Sequence, residues 1–128
     1  MVKCKNTGKR YQCIVKSKNY RLFSDTTKDK GGSEEGIRPH ELLEAALASC
    51  LNMTIQMALD KLKIEAKNIL VQVDLIRDVK EKTIFDCIYR LDAKLNDDQK
   101  KTLEESIVHC SVKDTLMKEI HFHIKAEE

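Results

Sequence analysis

Residues 39–63 read PHELLEAALASCLNMTIQMALDKLK. Pro39 suits the first turn of a helix, because its missing N–H would be unpaired there anyway. From Leu42 onward apolar and small residues continue through Leu62, which predicts one helix reaching to about Lys63. Between Leu42 and Leu51 those residues go nearly all round, so this part of the helix needs burial on more than one face. One chain of 128 residues has difficulty supplying that. A homodimer that sandwiches the helix between elements of both subunits is the simplest answer. A membrane span is not expected, because Glu41, Glu44 and Asp60 interrupt a short apolar run.

Upstream of this helix, Asp25 to Pro39 holds three of the four glycines, the only proline and many charges. It reads as a long solvated loop, and a loop of that length in a small domain is usually functional or mobile. Before it, Tyr11–Val15 and Tyr20–Ser24 are rich in strand formers and predict a β-hairpin. Downstream, Val71, Val73 and Leu75 alternate with Gln72 and Asp74, predicting strands at about 69–78 and 83–95 with a turn at Lys80-Glu81. Asn96 and Gln99 are spaced to cap a second helix reciprocally, and Asp97 and Asp98 suit its first turn. That helix runs to about Val108, and Leu103, Ile107 and Cys110 follow at i, i+4 and i+7. Val112–Lys118 predicts a short helix, and alternation of Ile120, Phe122 and Ile124 predicts a final strand over Glu119–Lys125. The order is that of an α+β protein with a mostly antiparallel sheet, in a single domain over 1–128.

Charge and composition narrow the partners. Lys plus Arg number 23 against 21 Asp plus Glu, so nothing supports a basic grip on nucleic acid or a polybasic membrane anchor. No signal peptide is read at the N-terminus, and the compartment is expected to be cytoplasmic, where thiols stay reduced. The five cysteines, Cys4, Cys13, Cys50, Cys87 and Cys110, are an odd count for a disulfide framework.

Most chemistries fail on spacing. No two cysteines are separated by two residues, and His109, His121 and His123 are too scattered for a zinc site, so no metal is expected. No Gly-x-Ser-x-Gly elbow and no phosphate-cradling glycine loop occurs. A dithiol is left. Cys50 is mid-helix and Cys110 ends the apolar face of the second helix, so both point inward and their sulfurs can meet. Buried single cysteines are also common packing residues, and spacing alone does not decide between the two.

The wording around these cysteines adds to the case. Gly36 to Thr54, with its glycine loop, Pro39, Glu41-Leu42-Leu43, small-residue run and Cys50, resembles the OsmC/Ohr family. Val108-His109-Cys110-Ser111-Val112 resembles that family's second motif, a His-Cys-Pro-Val-like sequence, with Ser111 where the proline usually stands. The element order also matches over nearly the whole chain. The resemblance implies an OsmC-like fold, a mostly antiparallel sheet packed on a long buried central helix in an intertwined homodimer. It also implies a thiol-dependent peroxidase of oxidative-stress defence. Cys50 would attack an organic hydroperoxide, or hydrogen peroxide, and become a sulfenic acid; Cys110 would resolve it as a disulfide; a dithiol reductant would restore both. No other cofactor is implied.

An apolar surround of Ala46, Leu47, Met53 and Thr54 raises a thiol's pKa, so a thiolate at Cys50 needs a nearby cation. In the Ohr branch this is an Arg held by a Glu. Here the expected Glu position is His40, with Glu41 one step later, and the cations on offer are Arg21, Arg10 and Arg38. Arg21, His40 and Glu41 are carried forward as candidate site residues beside Cys50 and Cys110. Cys4, Cys13 and Cys87 read as structural or incidental, with Cys4 in a frayed terminus. The rival expectation is a dimer of the same fold that binds a small apolar ligand or partner and turns over peroxide poorly.

Overall fold

The structure is a computed structural model describing residues 1–127; only Glu128 lies outside the described residues. It is α+β. Strands β1 (Lys3–Asn6), β2 (Cys13–Ser17) and β3 (Tyr20–Ser24) are followed by helix α1 (Pro39–Lys61). Strands β4 (Ile69–Ile76) and β5 (Ile84–Leu91) come next, then helices α2 (Asp97–Val108) and α3 (Ser111–Met117). The chain divides into two compact units, Met1–Ala45 with Leu75–Phe85, and Ala46–Asp74 with Asp86–Glu128; α1 runs through both.

In the first unit, β1, β2 and β3 form an antiparallel sheet in that order. The expected hairpin is present as β2–β3, shifted two residues at its start and closed by the two-residue turn Lys18-Asn19. Lys18 takes the positive φ of 54° that such tight turns need. β1 corrects the frayed terminus expected around Cys4: Lys3, Cys4, Lys5 and Asn6 pair with Lys16, Val15, Ile14 and Cys13. One face of the sheet carries Lys3, Lys16 and Arg21 directly opposite one another.

The loop after β3 is not the wholly solvated stretch that its composition suggests. Asp25 is only 2% exposed, and its carboxylate accepts the N–H groups of Thr26 (2.7 Å), Ser33 (3.4 Å) and Glu35 (3.2 Å). Lys9 closes the outside through a 2.8 Å ion pair with Glu35. The glycines permit the close approaches. A Cβ on Gly36 would sit 2.5 Å from the Phe23 carbonyl oxygen, and one on Gly32 would strike that of Thr26. Ile37 then docks beside β3, donating to the Phe23 carbonyl at 3.0 Å, and the chain enters α1.

In the second unit α1 buries a stripe of Leu47, Leu51, Ile55, Ala58 and Leu59, spaced to fall on one helical face. Ile55, Ala58 and Leu59 form a core with Leu103 of α2, flanked by Ile64, Ile69, Val71, Leu91, Leu95 and Ile107. Strand β4 shows the expected alternation, with Val71 and Val73 half-buried and Gln72 and Asp74 exposed. α2 opens with the expected reciprocal cap: Gln99 N–H donates to Asn96 Oδ1 at 2.9 Å, and Asn96 N–H donates to Gln99 Oε1 at 3.0 Å.

One expectation, the final strand, is corrected, and two others concern α1. α1 is apolar nearly all round in its first half, yet within the chain Leu43, Met53 and Met57 stay exposed. The carboxylates of α1 sit toward its ends, so by length and composition, with a mean hydropathy of 1.4, it could cross a membrane. That is weak evidence, since a core helix passes the same test. The final strand over Glu119–Lys125 does not form. Ile120, Phe122 and Ile124 are exposed there, and a strand exists only when a neighbour takes its backbone hydrogen bonds.

Replacing Leu103, 1% exposed, by Ala removes the α2 contribution to this core. Equilibrium denaturation is expected to show a loss of about 2–5 kcal/mol. Asp25 gives a pH test. Its backbone hydrogen bonds, that of Thr26 first, hold its pKa below the ordinary 3.8. A depressed carboxyl stabilises the fold above its unfolded pKa, and that contribution is lost as pH falls through the folded value. Amide-exchange protection at Thr26, Ser33 and Glu35 should therefore persist at mildly acid pH and fall off below 3.8, and Asp25→Asn should lose it at neutral pH.

Candidate functional site

Cys50 lies in the middle of α1, one residue before the buried Leu51. Cys110 stands between α2 and α3, at the N-cap of the latter. Packing of Leu103 against α1 carries the end of α2 to this place, and Lys113 Nζ donates to the Val108 carbonyl at 2.6 Å across the corner. The two sulfurs are 3.0 Å apart, with the Cys110 thiol donating to Cys50. No disulfide joins them; all five cysteines are thiols. Cys110 is wholly buried, at 0% exposure, and Cys50 is half-buried.

The electrostatics separate the two thiols. Burial pushes Cys50 up, but four donors outweigh it: the Cys110 thiol, the Ser111 hydroxyl, and the N–H groups of Val112 and Ser111. The net result is a fall from 9.0 to about 7. At neutral pH that makes about half of the group thiolate, against roughly one part in a hundred at the ordinary value. Cys110 moves the other way, raised by burial and by its hydrogen bond to Cys50. A low-pKa, partly exposed sulfur therefore touches a buried, protonated one, so the two thiols differ in both access and acidity.

Ser111 is what sequence reasoning passed over. Its hydroxyl lies 3.4 Å from the Cys50 sulfur and its backbone N–H also donates to it. A proline at this position has neither group. The signal was in the sequence as a departure from the familiar motif, and it reads as a gain once the helix start is seen facing the thiol.

The other candidates make their contacts in the first unit. Glu41 accepts from Arg38 Nε at 2.6 Å and from Arg38 N–H at 3.2 Å, so it both pairs with a guanidinium and caps the start of α1. That pairing holds the Glu41 carboxyl below its usual range and Arg38 above its own. His40 Nε2 lies 3.1 Å from Arg77 Nη1. Arg21 stands on β3 opposite Lys16. Arg38 and Glu41 pair with each other at the helix start, while Arg21 and His40 make their contacts elsewhere in the unit.

Residues 31–125 match the OsmC-like protein family, and the chain belongs to it. A sequence comparison with curated proteins finds no match. Solved structures share the fold. A Psychrobacter arcticus protein named for osmotic stress induction and detoxification response has a TM-score of 0.76 at 19% identity, covering 94% of this chain and 87% of its own. An OsmC-like protein from Mycoplasma pneumoniae has a TM-score of 0.74 at 14% identity, covering 91% and 85%. An organic hydroperoxide resistance protein from Legionella pneumophila has a TM-score of 0.61 at 14% identity, covering 91% and 89%.

Ser111→Pro is the direct test of the donors. Proline is tolerated at the first position of a helix, so α3 should persist by circular dichroism. Titrating the thiolate absorbance should show Cys50 moving up from about 7 toward 9.0, and Ser111→Ala should move it less.

Proposed function

We propose that the chain is a thiol-dependent peroxidase acting on organic hydroperoxides. The observation that carries this is the 3.0 Å approach of a protonated Cys110 to a Cys50 whose pKa is brought to about 7. The Cys50 thiolate attacks the terminal peroxide oxygen, the O–O bond breaks, and the alcohol leaves. Cys50 is then a sulfenic acid. The Cys110 sulfur attacks it, an S–S bond forms, and the hydroxyl departs as water with the Cys110 proton. An S–S bond is about 2.05 Å long, so the sulfurs must close by about 1 Å. A dithiol reductant returns both to thiols. In this reading the thiolate is favoured by the hydrogen-bond donors around Cys50, and Arg38 is occupied by Glu41 at the start of α1.

A homodimer belongs to the same reading. Exposed Leu43, Met53 and Met57 on α1, and the unpaired alternation of Ile120, Phe122 and Ile124, are surfaces that a second copy would cover. The rival reading, a dimer that binds a small apolar ligand with little turnover, draws on the same exposed apolar residues and on His40 standing where the family's Glu is expected.

Turnover of cumene hydroperoxide with a dithiol donor decides between them. Cys50→Ser should abolish it, and Cys110→Ser should leave a Cys50 sulfenic acid that dimedone traps. The rate of the first step should rise with pH through about 7 and then level, following the thiolate. Full activity in Cys50→Ser sinks the peroxidase, and a Cys50 pKa at or above 9.0 favours the binding protein.

A further inference from the structure

Cys4 and Cys13 were expected to be incidental, yet the sheet places them together. β1 and β2 are antiparallel, with Cys4 opposite Val15 and Asn6 opposite Cys13. Side chains on a strand alternate between faces, so Cys4, Asn6, Cys13 and Val15 share one face and the two cysteines are diagonal neighbours across it. The Cys4 side chain pushes the Cys13 thiol up, as Cys50 does for Cys110. Cys13 is half-buried beside Ser24, its register partner on β3, while Cys4 is exposed at the sheet edge. A more exposed thiol thus again neighbours a more buried one, on elements that have no part in the Cys50–Cys110 pair.

We propose that Cys4 and Cys13 are a second redox dithiol, which a hydroperoxide closes into a cross-strand disulfide stapling β1 to β2. The exposed Cys4 sulfur attacks the terminal peroxide oxygen, the O–O bond breaks and the alcohol leaves, giving Cys4 sulfenic acid. The Cys13 sulfur displaces the hydroxyl, which departs as water with the Cys13 proton. Two electrons pass from the two thiols to the peroxide. Diagonal cross-strand neighbours lie about 7–8 Å apart at Cα, beyond the roughly 4.4–6.8 Å that a disulfide spans, so the bond forms only if the backbone moves. Closure therefore pulls β1 inward. Every residue of β1 is exposed and it lies at the edge of the sheet, so it can yield. The bond is of the strained, exposed kind that reductants reopen readily.

The change reaches past β1. Gln12, next to Cys13, is buried and donates from Nε2 to Glu35 at 3.5 Å, and Glu35 N–H is one of the three donors to Asp25. The residue just before the strand that bears the staple therefore also contacts the loop.

The test uses the full chain as Cys50→Ser/Cys87→Ser/Cys110→Ser, leaving only this pair, exposed to cumene hydroperoxide. Expected are loss of both thiols, a mass lower by two hydrogens, and slower exchange at the β1 amides. A non-reducing tryptic digest should join peptide 4–5 to peptide 11–16, and dithiothreitol should reverse all of it. The same linked peptide should appear in the unaltered chain, which keeps the test intact if the triple variant folds poorly. Oxidation of Cys4 to a sulfinic acid with Cys13 still a thiol overturns the proposal, and so does a link between Cys4 residues of two chains. Because the pair is read without Cys50, these outcomes stand apart from the fate of the peroxidase. Cys13→Ser should remove the link and leave hydroperoxide turnover unchanged.

Discussion

The second unit depends on Leu103 of α2 seating against Ile55, Ala58 and Leu59 of α1. Burying aliphatic side chains of this size is worth about 1.5–3 kcal/mol each, and no other contact in the unit gathers as many at one point. The consequence is positional. α2 starts where the Asn96–Gln99 cap puts it and is held at Leu103, so the place where it ends follows. Cys110, seven residues past Leu103, comes down on the same side and meets Cys50. The chemistry of the site is therefore a by-product of hydrophobic packing, which fixes two sulfurs without any bond between them.

At the site two opposing effects are of comparable size. Burial disfavours a thiolate, and an apolar helix face alone would leave Cys50 inert. The Cys110 thiol, then the hydroxyl and N–H groups at the start of α3, reverse the outcome with dipoles that need no counter-charge of their own. A chain with 23 cationic and 21 anionic residues has no general basic field to lend, and oriented donors are the economical substitute. The buried carboxylate of Asp25 is solved alike in the first unit, by three backbone N–H groups.

Much of this was legible in the sequence because it is local or periodic. The helix from Pro39, the Asn96 cap and the alternation of β4 each follow from spacing within one element. The meeting of Cys50 and Cys110 followed from two such periodicities pointing at one core. What escaped was of another kind. Lys-Cys-Lys-Asn has no strand signature, and β1 exists because β2 offers it partners. Asp25 looked like one more solvated charge, and only the closed loop brings Ser33 and Glu35 round to it. Ile120, Phe122 and Ile124 alternate like a strand, yet alternation cannot supply a neighbour. Ser111 was visible as an exception, but its worth depends on which way a helix start faces.

Complete burial of Cys110 beside a half-buried Cys50 gives the pair a direction in time. A thiol arriving from solvent meets the Cys50 sulfur first. If the pair has closed, such a thiol opens it from that side and Cys110 is the group expelled. Leaving groups with high pKa depart slowly, and Cys110 is held high by its surroundings. Closing draws on the reactive sulfur and reopening on the reluctant one. On the proposed reading the pair would be quick to set and slow to clear, a latch that keeps a record of an encounter after the oxidant has gone.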